Sequence, residues 1–373
     1  MTIPPVRDDL SDLVGYHSAQ VAVDVRLNTN ESPFPPPPAW REAFLEELAA
    51  VPFNRYPDRH ARALRAAIAE LHGAEPDQVL AAKGSNEVLE ALCLAYGGPG
   101  RSVAVFEPTY ALHSHIARIT GTGVAIGERR ADFTLDPDEV RRVLAEAEPA
   151  ITFLCTPNNP TGLVERREVV DAVLDMAPGL VVVDEAYAQF APWSALSMVA
   201  EERPLAVTRT YSKTWSMAAM RLGYLVAPRE VVEACQRVLL PYHLDAASQV
   251  AGRLALRWQE EMEARVAAVV RERERLTAAL GELAVDVWPS GANFVLFRPR
   301  PVDALAVWKG LVERSVLVRD CSSWPRLEGC LRVTIGTRQE DDAFLAALAE
   351  VLDAEERSSR PAVTGAPPKV SGP

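Results

Sequence analysis

Lysine is nearly absent from this sequence of 373 residues: it occurs only at Lys83, Lys213, Lys309 and Lys369, and the other 35 basic residues are arginine. Any chemistry that needs a primary amine therefore has four candidates. Positive charge is also in deficit, with 39 basic against 51 acidic residues and a net charge of −12. Such a surface repels phosphate backbones, so neither nucleic acid nor an anionic membrane is an expected partner. The five cysteines, Cys93, Cys155, Cys235, Cys321 and Cys330, are odd in number and contain no C-x-x-C pair. That spacing argues against a zinc cluster and a complete disulfide framework, so no metal is expected and reduced thiols point to a cytoplasmic location. Long apolar runs are missing too. No stretch approaches about 18 apolar residues, and the opening MTIPPVRDDLSDL lacks the apolar core of an export signal.

What is present is an alternation of short apolar runs with amphipathic stretches. The chain exceeds one typical domain of about 100 to 200 residues. Residues 1–38 read as an N-terminal arm joining the smaller domain, ending in the proline run Pro35 to Pro38. Across 39–240, strand-length runs such as Val103 to Phe106, Ile151 to Leu154, Leu180 to Val183 and Leu205 to Thr208 alternate with helical periodicity around 58–71, 86–96, 136–147 and 165–176. That predicts an α/β fold, a large domain with a mostly parallel sheet between helices. Residues 241–355 change pattern, with a long helical stretch to about Leu280 and then strands and helices in short alternation, and read as a smaller α+β domain. From 356 to 373 the sequence is rich in Pro, Gly and Ser and reads as a disordered tail.

In an open α/β sheet ligands bind beyond the carboxyl ends of the strands. Three predicted strands end there in polar residues: Ile151 to Leu154 runs into CTPNNPTG, Leu180 to Val183 into DEAY, and Leu205 to Thr208 into RTYSKTWS. Asp184 follows four apolar residues, where a carboxylate costs several kcal/mol unless it meets a cation or strong donors. An ion pair with an arginine or a helix cap explains it as well as a role in holding a protonated cofactor ring. Lys213 is more telling. Lys369 lies in the tail, Lys309 on a helix, and Lys83 at a helix start, whereas Lys213 follows a buried strand and is flanked by Thr210, Tyr211, Ser212, Thr214 and Ser216. Burial lowers a lysine pKa, and a neutral amine attacks aldehydes. Gly84, Ser85 and Asn86 at a helix start, the hydroxyls of Thr210 and Ser212, and the fork of Arg221 could together hold a phosphate. An ordinary N-cap explains Gly84 and Ser85 taken alone. The joint occurrence of acid, amine, hydroxyls and arginine favours a phosphorylated aldehyde cofactor of the pyridoxal type.

The stretches LNTNESPF, NRYPD, KGSNEVLEAL, FEPTYALH, TPNNPTG, VVVDEAY, RTYSKTWSMAAMRLGY, LPYHLDAASQ, GANFVLF, VLVRD and LRVTIGT run in family order from Tyr16 to Thr337. Through them the chain resembles the fold-type I pyridoxal phosphate aminotransferases of class I/II, and within these the histidinol-phosphate branch. The resemblance implies that Lys213 bonds to pyridoxal 5'-phosphate and then shuttles a proton, and that Asp184 keeps the ring nitrogen protonated. It implies that Tyr187 and Asn159 bond the ring oxygen, that Tyr110 stacks on the ring, and that Ser85, Asn86, Thr210, Ser212 and Arg221 hold the phosphate. Tyr56 would reach the cofactor of a neighbouring subunit, which implies a homodimer with shared active sites. Arg332, Arg319 and Tyr16 would bind substrate, expected to be glutamate or 2-oxoglutarate and a phosphorylated imidazole compound of histidine biosynthesis.

Departures from the family pattern fall at Lys83, Trp215, Ser216, Met217, Met220 and Trp324, and bear on the substrate rather than the cofactor. One rival is an aromatic or pathway-specific aminotransferase, with Trp215 and Met217 reshaping the pocket. Another is a threonine-phosphate decarboxylase, although LNTNESP is nearer the aminotransferase pattern. A cofactor-sensing transcription regulator is disfavoured, since only about 30 residues precede the first core motif and the chain is acidic.

Overall fold

A computed structural model describes residues 3–11, 13–15 and 19–359. Among them twelve strands form two sheets. In chain order the strands are β1 (Val25–Leu27), β2 (Val79–Ala82), β3 (Ser102–Glu107), β4 (Gly123–Glu128), β5 (Ile151–Cys155), β6 (Leu180–Asp184), β7 (Leu205–Thr210) and β8 (Gly223–Val226), followed by β9 (Val285–Val287), β10 (Phe294–Pro299), β11 (Val316–Asp320) and β12 (Leu331–Thr334). The helices are α1 (Pro38–Ala49), α2 (Arg62–His72), α3 (Gly84–Tyr96), α4 (Leu112–Ile119), α5 (Pro137–Ala147) and α6 (Arg167–Met176), then α7 (Arg229–Val238), α8 (Ala246–Ala255), α9 (Gln259–Gly281), α10 (Ala304–Glu313) and α11 (Arg338–Ser359).

The larger sheet has the order β2-β8-β7-β6-β5-β3-β4, parallel from β7 through β4, with β8 antiparallel to both of its neighbours. Its inner strands β5, β6 and β7 are buried along their whole length because both faces are covered, whereas the edge strand β4 is partly exposed. Alternate residues feed opposite layers. Val103, Val105, Phe153, Val182 and Ala206 pack with Val88, Leu92, Ile116 and Val232 under α3, α4 and α7. Ala104, Phe106, Leu154, Val183 and Val207 pack with Val140, Val143, Val170 and Val173 under α5 and α6. Reversal of β8 brings its first residue, Gly223, to the edge where β2 and β7 end, opposite Ala82 and Thr210.

The smaller sheet has the order β1-β11-β12-β10-β9 and is covered by α9, α10 and α11 through Leu276, Val307, Leu311, Phe344 and Leu348. Its edge strand β1, inside the segment read as an arm, pairs in parallel with β11 through Val25 and Val316. Past residue 241, α8 packs its Ala251, Leu254 and Ala255 with Leu64, Ile68 and Tyr224 of the large layer, so the apolar contacts run across the boundary expected at 240/241. At the other end α11 continues through the expected start of the tail to Ser359, and residues 360–373 lie outside the described residues. None of the described helices is long and apolar enough to cross a membrane.

Candidate active site

The carboxyl ends of β5, β6 and β7, the start of α3 and Arg332 near the start of β12 line one cavity of about 440 Å³. Eleven of the residues singled out in the sequence line it: Ser85, Asn86 and Tyr110 from the α3 and α4 region, Asn159, Asp184 and Tyr187 from the β5 and β6 ends, Thr210, Ser212, Lys213 and Arg221 from beyond β7, and Arg332 from β12.

Lys213 Nζ donates to the Thr29 carbonyl oxygen at 3.0 Å and stands 5.8 Å from the centre of the Tyr187 ring. Burial, followed by the charge of Arg332, pushes its pKa down from 10.5 to about 7, against a smaller opposing pull from Glu31. A fraction of the amine is therefore neutral near pH 7 and carries a lone pair for an electrophilic carbon or a proton. Asp184 is 2% exposed and ends β6. Its Oδ2 lies 3.0 Å from His113 Nε2 and its Oδ1 accepts the Ala186 N–H at 3.1 Å. His113 is fully buried, stacked on Phe153 at 4.7 Å, and its Nδ1 has no protein partner. Burial raises the Tyr187 phenol, whose oxygen accepts from Asn30 Nδ2 at 2.9 Å.

One end of the cavity is shaped as an anion cradle. Gly84 opens α3 with φ +80°, and a Cβ there would stand 2.8 Å from Arg221 Nη2. A Cβ on Gly223 would stand 2.2 Å from the Ser85 backbone nitrogen. Both positions require glycine so that the guanidinium and the first N–H groups of α3 can close on one point. Thr210 Oγ1 donates to Ser212 Oγ at 3.0 Å and accepts the Ser212 N–H at 3.1 Å, which fixes both hydroxyls beside it. Backbone donors at a helix N-terminus, two hydroxyls and an arginine are a donor set of the kind that could hold a phosphate.

The opposite wall is cationic. Arg332, 4% exposed, donates to the Asn28 carbonyl at 3.0 Å and to Asn159 Oδ1, while its Nε has no protein partner. No carboxylate pairs with it among the described residues. Arg319 opposes Arg332 on the neighbouring strand, but it does not line the cavity and instead lies 5.5 Å from the centre of the Trp324 ring. Tyr56 is also outside, 79% exposed and stacked on Tyr242 at 4.4 Å. Tyr16 lies outside the described residues.

Several lining or supporting residues were not singled out as site residues from the sequence. Asn28, Thr29, Asn30 and Glu31 enter the cavity because Asn30 exchanges hydrogen bonds with Thr334 Oγ1 and its carbonyl receives Asn293 Nδ2 at 3.1 Å, which fastens the segment after β1 to the end of β12. Their signal was a polar run directly after a short apolar one. His113 could have been found as a histidine on the buried face of an amphipathic helix. Conversely, Trp215 and Met217 do not reshape the pocket: both are buried behind it with Tyr211 and Leu222. Lys83 is engaged by Asp245 rather than by the cavity.

The family model described as aminotransferase class I and II matches residues 22–348. The chain is 45% identical over 364 residues to the histidinol-phosphate aminotransferase of Frankia casuarinae, spanning 93% of this chain and 90% of that one. It is 44% identical to the histidinol-phosphate aminotransferase of Thermobifida fusca, spanning 92% and 94%. In fold it is similar to a crystal structure of histidinol-phosphate aminotransferase from Sinorhizobium meliloti in complex with pyridoxal-5'-phosphate, with a TM-score of 0.82, 22% identity and coverage of 89% and 91%. The chain belongs to the class I and II aminotransferases.

Proposed function

We propose that this protein is a pyridoxal 5'-phosphate-dependent aminotransferase that exchanges an amino group between histidinol phosphate and 2-oxoglutarate, yielding imidazole acetol phosphate and glutamate. The observation that carries the reading is a single cavity lined by a lysine of lowered pKa, by the hydroxyls, helix start and arginine of an anion cradle, and by a second arginine that has no counter-ion among the described residues. The names of relatives at 40 to 45% identity support the phosphorylated imidazole substrate. Ser85, Asn86, Thr210, Ser212 and Arg221 would hold the cofactor phosphate, Asp184 the ring nitrogen, and Asn159 and Tyr187 the ring oxygen, with Tyr110 against its face. Once bound, the cofactor supplies an electron sink for the carbon that bears the transferred nitrogen. The remaining work belongs to the chain. Lys213 supplies the amine that bonds the cofactor and takes up or returns a proton. Asp184 orients charge at the floor with His113 behind it. Arg332 binds the carboxylate of glutamate or 2-oxoglutarate, and Arg319 meets the phosphate of the other substrate. Tyr56, exposed and stacked on Tyr242, would serve the cofactor of a second copy of the chain in a homodimer. The five free, buried cysteines support a reducing, cytoplasmic setting.

The test is a panel of half-reactions on the cofactor-loaded protein, read as bleaching of its visible absorption. Histidinol phosphate bleaches the band at the lowest concentration, ahead of phenylalanine, tyrosine and threonine phosphate. Bleaching by phenylalanine or tyrosine without histidinol phosphate assigns the protein to an aromatic substrate instead.

A further inference from the structure

The cavity presents three cations, Lys213, Arg221 and Arg332, and two carboxylates, Asp184 and Glu31. The two acids differ in what they have left to offer. Asp184 is buried at the floor, with His113 on one oxygen and the Ala186 N–H on the other. Glu31 has a side chain 44% exposed, and both of its contacts fall on Oε2: the Thr29 hydroxyl at 2.9 Å and Arg26 Nη2 at 3.5 Å. Its Oε1 accepts no hydrogen bond from any described residue and remains an open acceptor. The backbone beneath it is anchored, since Asn293 Nδ2 reaches the carbonyls of Asn30 and Glu31 at 3.1 and 3.5 Å.

A substrate with an imidazole ring meets a problem here. Its phosphate suits a cationic cavity, but its ring brings an N–H donor and, when protonated, a positive charge of its own. Near three fixed or partial cations the ring needs an acceptor, and Asp184 is already taken. We propose that Glu31 is the specificity-determining residue for the imidazole end of the substrate, its Oε1 accepting the ring N–H and its charge favouring the imidazolium form. The inference rests on the histidinol-phosphate reading above. The charged and titratable groups that pair with Glu31 or share its cavity are Arg26 on its own segment, Lys213 and Arg221 beyond β7, Arg332 on β12, and Cys155, Asp184, Tyr187 and Tyr110.

The sign follows from the ring. A free imidazole has a pKa of about 6.5, so the attraction to Glu31 is largely present at pH 6 and largely gone at pH 8. Lys213 titrates in the same range, but it acts on every amine substrate. Phenylalaninol phosphate shares the amine and the phosphate and lacks the imidazole, so the ratio of kcat/KM for histidinol phosphate over phenylalaninol phosphate isolates the ring. In the wild-type enzyme this ratio falls about threefold between pH 6 and pH 8, the size expected of a half-exposed charge pair. Glu31→Ala lowers the ratio about tenfold at pH 6. Glu31→Gln retains an acceptor but flattens the pH slope, and Glu31→Asp keeps the slope. A ratio and slope in Glu31→Gln within twofold of wild type overturn the inference, as does loss of the slope in Glu31→Asp, which would mark a packing role. These outcomes leave the functional reading standing as long as the wild type turns over histidinol phosphate. A wild type that turns over only phenylalaninol phosphate, or neither compound, overturns that reading and this inference with it.

Discussion

The two walls of the cavity are built on different principles. The wall at the large-sheet edge is cross-linked by its own side chains: Thr210 bonds Ser212, Asp184 meets His113, and the Tyr110 hydroxyl donates to Asn86 Oδ1 at 3.3 Å. The opposite wall holds Arg332 against a backbone carbonyl and a neutral amide with no carboxylate among the described residues, and a loop segment after β1 closes the gap. One wall is shaped before any ligand arrives. The other holds a buried guanidinium that no carboxylate pairs with among the described residues, and that charge also helps hold the Lys213 pKa down. A permanent cofactor suits the first wall, and exchanging anionic substrates suit the second.

Removing Lys213 gives the largest expected effect because it strikes the first wall. Lys213→Ala abolishes borohydride-stable attachment of the cofactor and lowers turnover by at least about 10⁴-fold, measured with histidinol phosphate and 2-oxoglutarate. In the wild-type apoprotein the lysine pKa of about 7 lies below its usual 10.5, so the neutral amine becomes dominant as pH rises through about 7. Capture of pyridoxal 5'-phosphate by the apoprotein therefore accelerates from pH 6 to pH 8 and levels above. A midpoint near pH 10 would show that the cavity does not desolvate Lys213, and the contrast between a finished wall and a charged one would fail at its centre.

The same contrast governs how much was legible in the sequence. Strands β5, β6 and β7 are buried along their length, and the polar residues at and beyond their ends fall at the site, so Asp184 and Lys213 could be singled out, with weight only when taken jointly with the hydroxyls and arginine around them. The substrate wall is assembled from segments about 300 residues apart, exemplified by the bond from Arg332 to the Asn28 carbonyl, and no local periodicity carries that pairing. Strand β1 has three residues, too few for an alternation to be read, which is why the segment resembled an irregular arm. His113 sits on α4, eight residues long, and acquires meaning only when β6 places Asp184 against it. Trp215 misled for the opposite reason. It lies two residues from Lys213 in sequence, yet the turn after β7 sends its ring behind the sheet edge, 5.7 Å from Tyr211.

Substitutions in the second wall should spare the cofactor and tax the substrates. Arg332→Lys keeps a charge but loses the planar fork that reaches Asn28 and Asn159 together. The KM for 2-oxoglutarate rises about 30-fold or more, in line with a lost charge-assisted contact of about 2 kcal/mol or more, while the absorption spectrum of the bound cofactor stays unchanged. A changed spectrum with an unchanged KM would move Arg332 to the cofactor wall.

Arg319→Ala carries the smallest effect and the finest distinction. Arg319 shares a sheet face with Arg332 but leans on Trp324, outside the cavity lining. A cation one strand back acts through longer contact and partial solvent, where a charge pair is worth about 0.2 to 1 kcal/mol. The expected loss is therefore about two- to fivefold in kcat/KM for histidinol phosphate, with phenylalanine unaffected. Equal losses for both substrates would mean that Arg319 supports the loop carrying Trp324 rather than the phosphate. A loss for histidinol phosphate near 100-fold would mean that substrate draws Arg319 off Trp324 and into the cavity, which would make the charged wall wider in the loaded enzyme than in the free one.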